Sequence, residues 1–321
     1  IDGNLLKLDI LGHDDPTMVR MMQDLTGVDP HEIPLDDPDT MSIFTSSKVL
    51  GYENDEILGP TGAVAIPEFN TRFTRQMLMD TQPKDFNTLV RLSGFSHGTD
   101  VWMGNARELI LSGTASVLET VGCRDDIMLY LISKGLDPKM SFKIMEKVRK
   151  GKVKKGGFDE GWEDAMREHE VPEWYIESLA KIGYLFPKAH AVAYVMMAFR
   201  IAWYKVHEPL AFYATFFSVR AKAFDAEYCC AGMAAVKKKI REIENNKDAT
   251  AVEQNLLTTL EVCYEFYLRG FHFDTINIYK SDATKFIVTE NGLLPPFVTV
   301  HGLGEAAAID TVEKRKGKEF I

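Results

Sequence analysis

Phe186-Pro187-Lys188-Ala189-His190-Ala191-Val192-Ala193-Tyr194 opens a long apolar stretch whose spacing is helical, and its reading decides the fold class. A proline at the start suits the first turn of a helix, where its missing N–H is not needed. Ala189, Ala191 and Ala193 leave the surface bare between Lys188, His190 and Tyr194. His190 and Tyr194 stand four apart and share a face, with Lys188 near the positive end of the helix dipole. Such a face can receive a planar, anionic ligand such as a nucleotide; a His and a Tyr at this spacing can equally be packed or capping residues.

Working outward, composition bounds the answer. The chain has 321 residues, 45% hydrophobic and 26% charged, as expected of a soluble globular protein with two or three domains. No run of about 18 apolar residues is present. The stretch over residues 189–203 is shorter and carries His190 and Arg200, so no membrane partner is expected. Cys123, Cys229, Cys230 and Cys263 lack Cys-x-x-Cys spacing and a nearby His cluster, which reads as reduced core thiols of a cytoplasmic protein rather than a zinc site. The chain begins at Ile1 without Met and ends just after a helical pattern, as an excised piece of something longer would.

The formal charge of −10 is carried wholly by residues 1–60, which hold 13 acids against 3 bases. Between Lys143 and Lys155, seven bases (Lys143, Lys147, Arg149, Lys150, Lys152, Lys154, Lys155) stand against Glu146. An acidic end facing a basic middle suits a site that holds both metal ions and phosphates.

In chain order, residues 1–11 alternate, with Leu6, Leu8 and Ile10 pointing one way and Lys7 and Asp9 the other. This is the pattern of a half-buried strand presenting one carboxylate. Asp14 or Asp15 is expected to cap the next helix, with Pro16 in its first turn, whereas Asp9 has no such structural duty. Residues 26–60 read as loops with a short helix near 40–44, and a helix over 69–77 should expose Arg72 and Arg75. Leu92-Ser93-Gly94-Phe95-Ser96-His97-Gly98-Thr99 reads as a permissive loop that brings amides and hydroxyls to a ligand. Helices are expected over 106–111, 125–131, 141–149, 160–169 and 173–182, with the basic run filling the loop after the third. Glu208-Pro209 ends the long helix. Phe212, Tyr213, Phe216 and Phe217 have core spacing rather than that of a base-stacking strip. Two helices follow over 222–270. The period then changes to two over 271–273, 276–279 and 285–288. Gly302-Leu303-Gly304 reads as a tight turn entering a helix, a shape that aims amides at a phosphate. The fold class is α+β, predominantly helical.

Five stretches carry a resemblance: Leu5 to Thr17, Ser93 to Trp102, Gly122 to Met128, Phe142 to Glu146 with Val148 to Lys152, and Phe186 to Tyr194. In that order and over essentially the whole chain they resemble the C-family replicative DNA polymerases, specifically the PolC-type DNA polymerase III alpha subunit. Val192, where similar sequences often have Ala, and the longer basic loop Lys154-Lys155-Gly156-Gly157 are departures from the pattern.

The resemblance implies the late palm over 1–90, the fingers over 91–270, and the start of a duplex-binding region with a helix-hairpin-helix over 271–321. It implies that Asp9 is one of three palm aspartates that hold two Mg²⁺ ions, the others lying on an upstream Asp-x-Asp strand. Nucleotidyl transfer from a dNTP to a primer 3′ oxygen would then be positioning and charge neutralisation. Arg149, Lys150 and Lys152 would take the triphosphate, with Lys188 second. His190 and Tyr194 would pack on sugar or base opposite Ser93, Ser96 and His97, while Gly302, Leu303 and Gly304 grip duplex backbone. Primer-template DNA would be the partner, with sliding clamp and replisome met through segments outside this chain, at replication forks in the bacterial cytoplasm. The piece alone would be inactive. The alternative reading is a non-catalytic DNA-binding or replisome-scaffold module.

Overall fold

Helices Lys188–His207 and Pro209–Val219 run through the middle of the molecule. The first has no glycine or proline inside it, and its buried Ala191, Val195, Ala198, Phe199 and Ala202 recur every three or four residues. Pro209 cannot extend a preceding helix but fits the first turn of a new one, so the chain bends at Glu208. The computed structural model describes residues 13–318; the expected strand over 1–11, and Asp9 with it, lies outside the described residues.

Helices Asp15–Thr26, Pro38–Ser42 and Phe86–His97 pack on the long helix. Phe199 is the pivot, 6.3 Å from Phe44 and 6.2 Å from Phe86 between ring centroids. Each fully buried ring of this kind contributes about 2–3 kcal/mol. Helices Arg124–Ser133, Pro138–Arg149, Trp162–Glu168 and Glu173–Lys181 follow the expected order. Met233–Asn245 and Ala251–Leu268 pair along their lengths, preceded by a short helix over Ala226–Cys229. The fold is α+β and predominantly helical, the described cysteines are free, and no helix among the described residues is long and apolar enough to cross a membrane.

Four local expectations are corrected. Asp14 occupies the N-cap position of the first helix without a side-chain capping bond, while Asp15 pairs with His13 at 3.1 Å. Arg75 is not on an open face: it is largely buried and reaches Glu261 at 3.4 Å, because helix Ala251–Leu268 covers that side. Residues 152–156 form a short helix rather than a loop, since Gly151 takes the left-handed turn before them. Residues 276–279 are not a strand. The Asn277 side-chain oxygen accepts from the Tyr279 and Lys280 amides at 2.8 and 3.1 Å, which closes a turn instead.

The small sheet has β1 (His272–Phe273) parallel to β3 (Gly292–Leu294), and β2 (Ile287–Thr289) antiparallel to β3 on the other side. Phe286 and Leu293 belong to the main core, and the Phe217 ring lies 5.5 Å from Phe273 and 5.6 Å from Phe286. A separate cluster of Ala283, Phe297 and Ala308, with Leu303 and Val312 against it, seats the last helix, Glu305–Arg315.

Candidate functional site

The segment just before the long helix is stitched to three neighbours by its main chain. The Gly183 and Tyr184 amides donate to the Thr99 carbonyl at 2.9 and 3.2 Å, and Thr99 returns a bond to Tyr184. The Leu185 amide donates to the Arg149 carbonyl, and the Arg124 amide to the Phe186 carbonyl, both at 3.2 Å. Pro187 sits at the N-cap rather than inside the helix, and the first helical amide, Lys188, is satisfied by the Asp125 carboxylate at 2.9 Å. An acid at this end also favours the helix dipole. Gly151 allows the approach: its φ is 68°, and a Cβ there would strike the Gly183 carbonyl.

On this base stands a pile of rings. His97 lies flat on Phe186, 4.5 Å away with 20° between planes. Tyr194 lies against both, 5.8 Å from His97 and 6.2 Å from Phe186 with interplanar angles of 22° and 24°, so the pile is three mutually adjacent, nearly parallel rings. His190 flanks Phe186 at 5.7 Å, and His13 flanks Tyr194 at 5.3 Å, both tilted. Below it, a Glu68 carboxylate oxygen lies 2.6 Å from His97 Nε2 and accepts from Ser93 Oγ at 3.0 Å. Asp15 is close by; burial pushes its carboxyl up, His13 opposes that, and the charge of Glu68 adds to it.

Ser93, Ser96 and His97 therefore reach the site from a helix, Phe86–His97, and not from the expected loop. Gly94 is there for packing, since a Cβ would collide with the Gly122 carbonyl. Ser93 is buried on Glu68, and the Ser96 hydroxyl donates to the Ser93 carbonyl at 3.0 Å. A composition of Gly and Ser matches a loop, but here Asp85 caps the helix through the Thr88 amide at 2.8 Å and the glycine marks a close crossing.

The basic block lies alongside. Arg149 and Lys150 share the Glu146 carboxylate, with contacts of 2.9 Å from Arg149 Nη2 and 2.8 Å from Lys150. These hydrogen bonds, Arg149 first, hold the Glu146 carboxyl down at about 2. Lys154 pairs with Asp100 at 2.6 Å, whereas Lys152 is exposed and makes no ion pair among the described residues. Lys188 is separated from the rings. Positions two apart on a helix differ by about 200°, and Lys188 lines a different cavity of about 280 Å³ with Arg91, Asp126, Tyr130 and Tyr175. Gly302, with φ 78°, and Leu303 and Gly304 border a third cavity of about 670 Å³, also lined by Lys222, Asp225, Val252 and Val300. It belongs to the C-terminal region, with Leu303 packed into the small second core.

Two features had gone unread in the sequence. Arg124 sits at the start of its helix beside Phe186, and its ion pairing among the described residues is a loose 3.9 Å contact to Asp125. At the other end of the long helix, the fully buried Lys205 ammonium donates to the Gly62 and Val64 carbonyls at 2.7 and 2.6 Å and meets Glu265 at 2.7 Å. Tyr52 and Tyr213 donate to the same carboxylate at 2.5 and 2.6 Å. Burial pulls the Lys205 amine down to about 8 against the pull of Glu265. Lys205 does stand on the Ala198–Ala202 face, which is the signal that it would be buried.

Among the described residues no group of three or more His, Cys, Asp or Glu side chains is arranged to hold a metal ion. The acids near the rings are engaged, Glu68 with Ser93 and His97 and Asp15 with His13, so these residues do not by themselves fit the implied Mg²⁺ pair.

Residues 15–170 match the bacterial DNA polymerase III alpha subunit finger domain, which defines the class. The whole chain is 54% identical over 322 residues to "DNA polymerase III PolC-type" of Caldanaerobacter subterraneus subsp. tengcongensis, of which it covers 23%. It is 54% identical to the protein of that name from Halalkalibacterium halodurans and 52% identical to that of Streptococcus mutans serotype c, covering 22% of each. The chain belongs to the PolC-type DNA polymerase III family, and it spans less than a quarter of the length of these relatives.

Proposed function

We propose that the chain serves a DNA-directed DNA polymerase as the end of its palm (1–90), its fingers (91–270) and the start of its duplex-binding region (271–321). In this reading the pile of His97, Phe186 and Tyr194, with His190 beside it, meets the sugar and base of an incoming dNTP. Arg149, Lys150 and Lys152 meet its triphosphate, and Arg124 joins them from beside Phe186. The observation that carries the reading is the bond from the Leu185 amide to the Arg149 carbonyl, which ties the basic helix end to the segment holding Phe186. Two cations on one surface carboxylate can exchange it for phosphate oxygens at little cost, because an exposed ion pair contributes about 1 kcal/mol or less. The residues of this chain thus supply positioning and neutralising charge, and any metal chemistry enters through ligands beyond those described. Lys188, set apart from the rings, is a weaker candidate for the triphosphate, and the Gly302–Gly304 turn is read as a grip on duplex backbone.

The test uses the full-length polymerase. Replacing Arg149 and Lys150 together by Ala should raise the nucleotide KM or lower kcat by about tenfold or more while primer-template affinity changes little. Equal loss of DNA affinity with unchanged nucleotide kinetics would mean that the basic end holds duplex instead.

A further inference from the structure

The turn before Phe69 is strained. Ala65 and Glu68, neither of them glycine, have φ of 65° and 71°. Each such left-handed residue costs about 1 kcal/mol or more, and persists only where its surroundings leave no alternative. The surroundings here are explicit. Lys205 clamps the carbonyls of Gly62 and Val64, the Gly62 amide donates to the Ile43 carbonyl at 2.7 Å, and the Ala65 amide donates to Asn70 Oδ1 at 2.7 Å. Ile66 and Phe69 are both sealed in the core.

That strained backbone delivers one side chain. Glu68 is largely buried and turns toward helix Phe86–His97, where it holds Ser93 and His97 as described above. His97 is about a third exposed, and no other hydrogen-bond partner for its ring is seen among the described residues. Beside its ring contacts with Phe186 and Tyr194, the one carboxylate is thus the polar group that fixes how this ring is turned. Glycine would be the easier residue at φ 71°, so stability of the turn does not account for a glutamate there.

We infer that Glu68 is a positioning residue: presented by a turn that buried Lys205 pins, its carboxylate locks His97 flat on Phe186 and so sets the ring pile against which a nucleotide rests. The inference builds on the nucleotide-platform reading of the previous subsection.

The experiment measures single-nucleotide incorporation and thermal unfolding of the full-length polymerase in three variants: Glu68→Gly, Glu68→Gln and Tyr194→Ala. Glu68→Gly keeps the left-handed backbone at ease and removes the carboxylate. It should raise the nucleotide KM about tenfold, with kcat within about threefold of wild type, while Tm falls only modestly, the strain relieved by glycine offsetting part of the bonds lost to Ser93 and His97. Glu68→Gln retains an oxygen that accepts and should fall between wild type and Glu68→Gly. Tyr194→Ala, which removes a ring from the pile, should raise KM at least as far. If Tyr194→Ala raises KM and Glu68→Gly does not, Glu68 does not position the site. A KM that only tracks loss of Tm across the variants also overturns the inference, since it marks a purely structural residue. An unchanged KM in Tyr194→Ala removes the platform reading itself, and with it this one.

Discussion

Two groups of charges flank the long helix Lys188–His207, and they differ in burial. Near its start, Arg149 and Lys150 share Glu146 at the surface, their side chains 25% and 46% exposed. Near its end, Lys205 and Glu265 are both 0% exposed and surrounded by Tyr52, Tyr213 and two main-chain carbonyls. The surface cluster is only partly buried, so an incoming anion can compete for its cations. The buried pair is desolvated, and its components cannot separate without leaving a charge in the core. Similar chemistry thus permits exchange in one place, as the proposed triphosphate contact requires, and enforces fixation in the other.

The sharpest break of this comparison is Lys205→Met. It leaves Glu265 buried without its cation and frees the carbonyls of Gly62 and Val64, so denaturant unfolding of the chain should show a loss of about 3–5 kcal/mol. Adding Glu265→Gln should recover part of that loss, because the stranded charge is gone. A Lys205→Met chain with the wild-type midpoint would mean that the network fixes nothing.

The surface side is probed by pH. Glu146 is held at about 2 from an ordinary 4.5, by Arg149 first and then Lys150. The folded state binds this proton less tightly than the unfolded one, so the stabilisation is complete above pH 4.5 and is lost as pH falls toward 2. The unfolding midpoints of wild type and Glu146→Gln should therefore converge on acidification through that window. A gap that stays constant would show that the cluster does not act as a unit.

The smallest effect on stability is expected at Lys152, which lacks an ion pair among the described residues. Lys152→Ala should leave unfolding within about 0.5 kcal/mol of wild type. In the full-length polymerase it should nonetheless weaken the salt dependence of the nucleotide KM; an unchanged dependence would place Lys152 away from the triphosphate.

Much of the fold was legible because it repeats. The 3.6-residue spacing of Ala191, Val195, Ala198 and Ala202 announces the long helix, Pro209 its end, and Phe212 to Phe217 a core helix. The failures came where one residue type serves two purposes. Gly94 matches a loop but is a helix crossing point against Gly122, and the residues at 276–279 have strand composition yet follow the side-chain turn of Asn277. Arg75 looks exposed on its own helix and is covered by another 186 residues away along the chain.

The sequence by itself determined the helical character, the basic block, the Gly-x-Gly turn and the residues that carry the family resemblance, since all of these reside in local spacing and composition. Only the tertiary structure decided which of them meet. It brought Glu68 under His97, set Arg149 beside Leu185, turned Lys188 away from Tyr194 and sealed Lys205 against Glu265. Those pairings join residues tens of positions apart, and no local period encodes them; they follow from which faces the packed core leaves in contact.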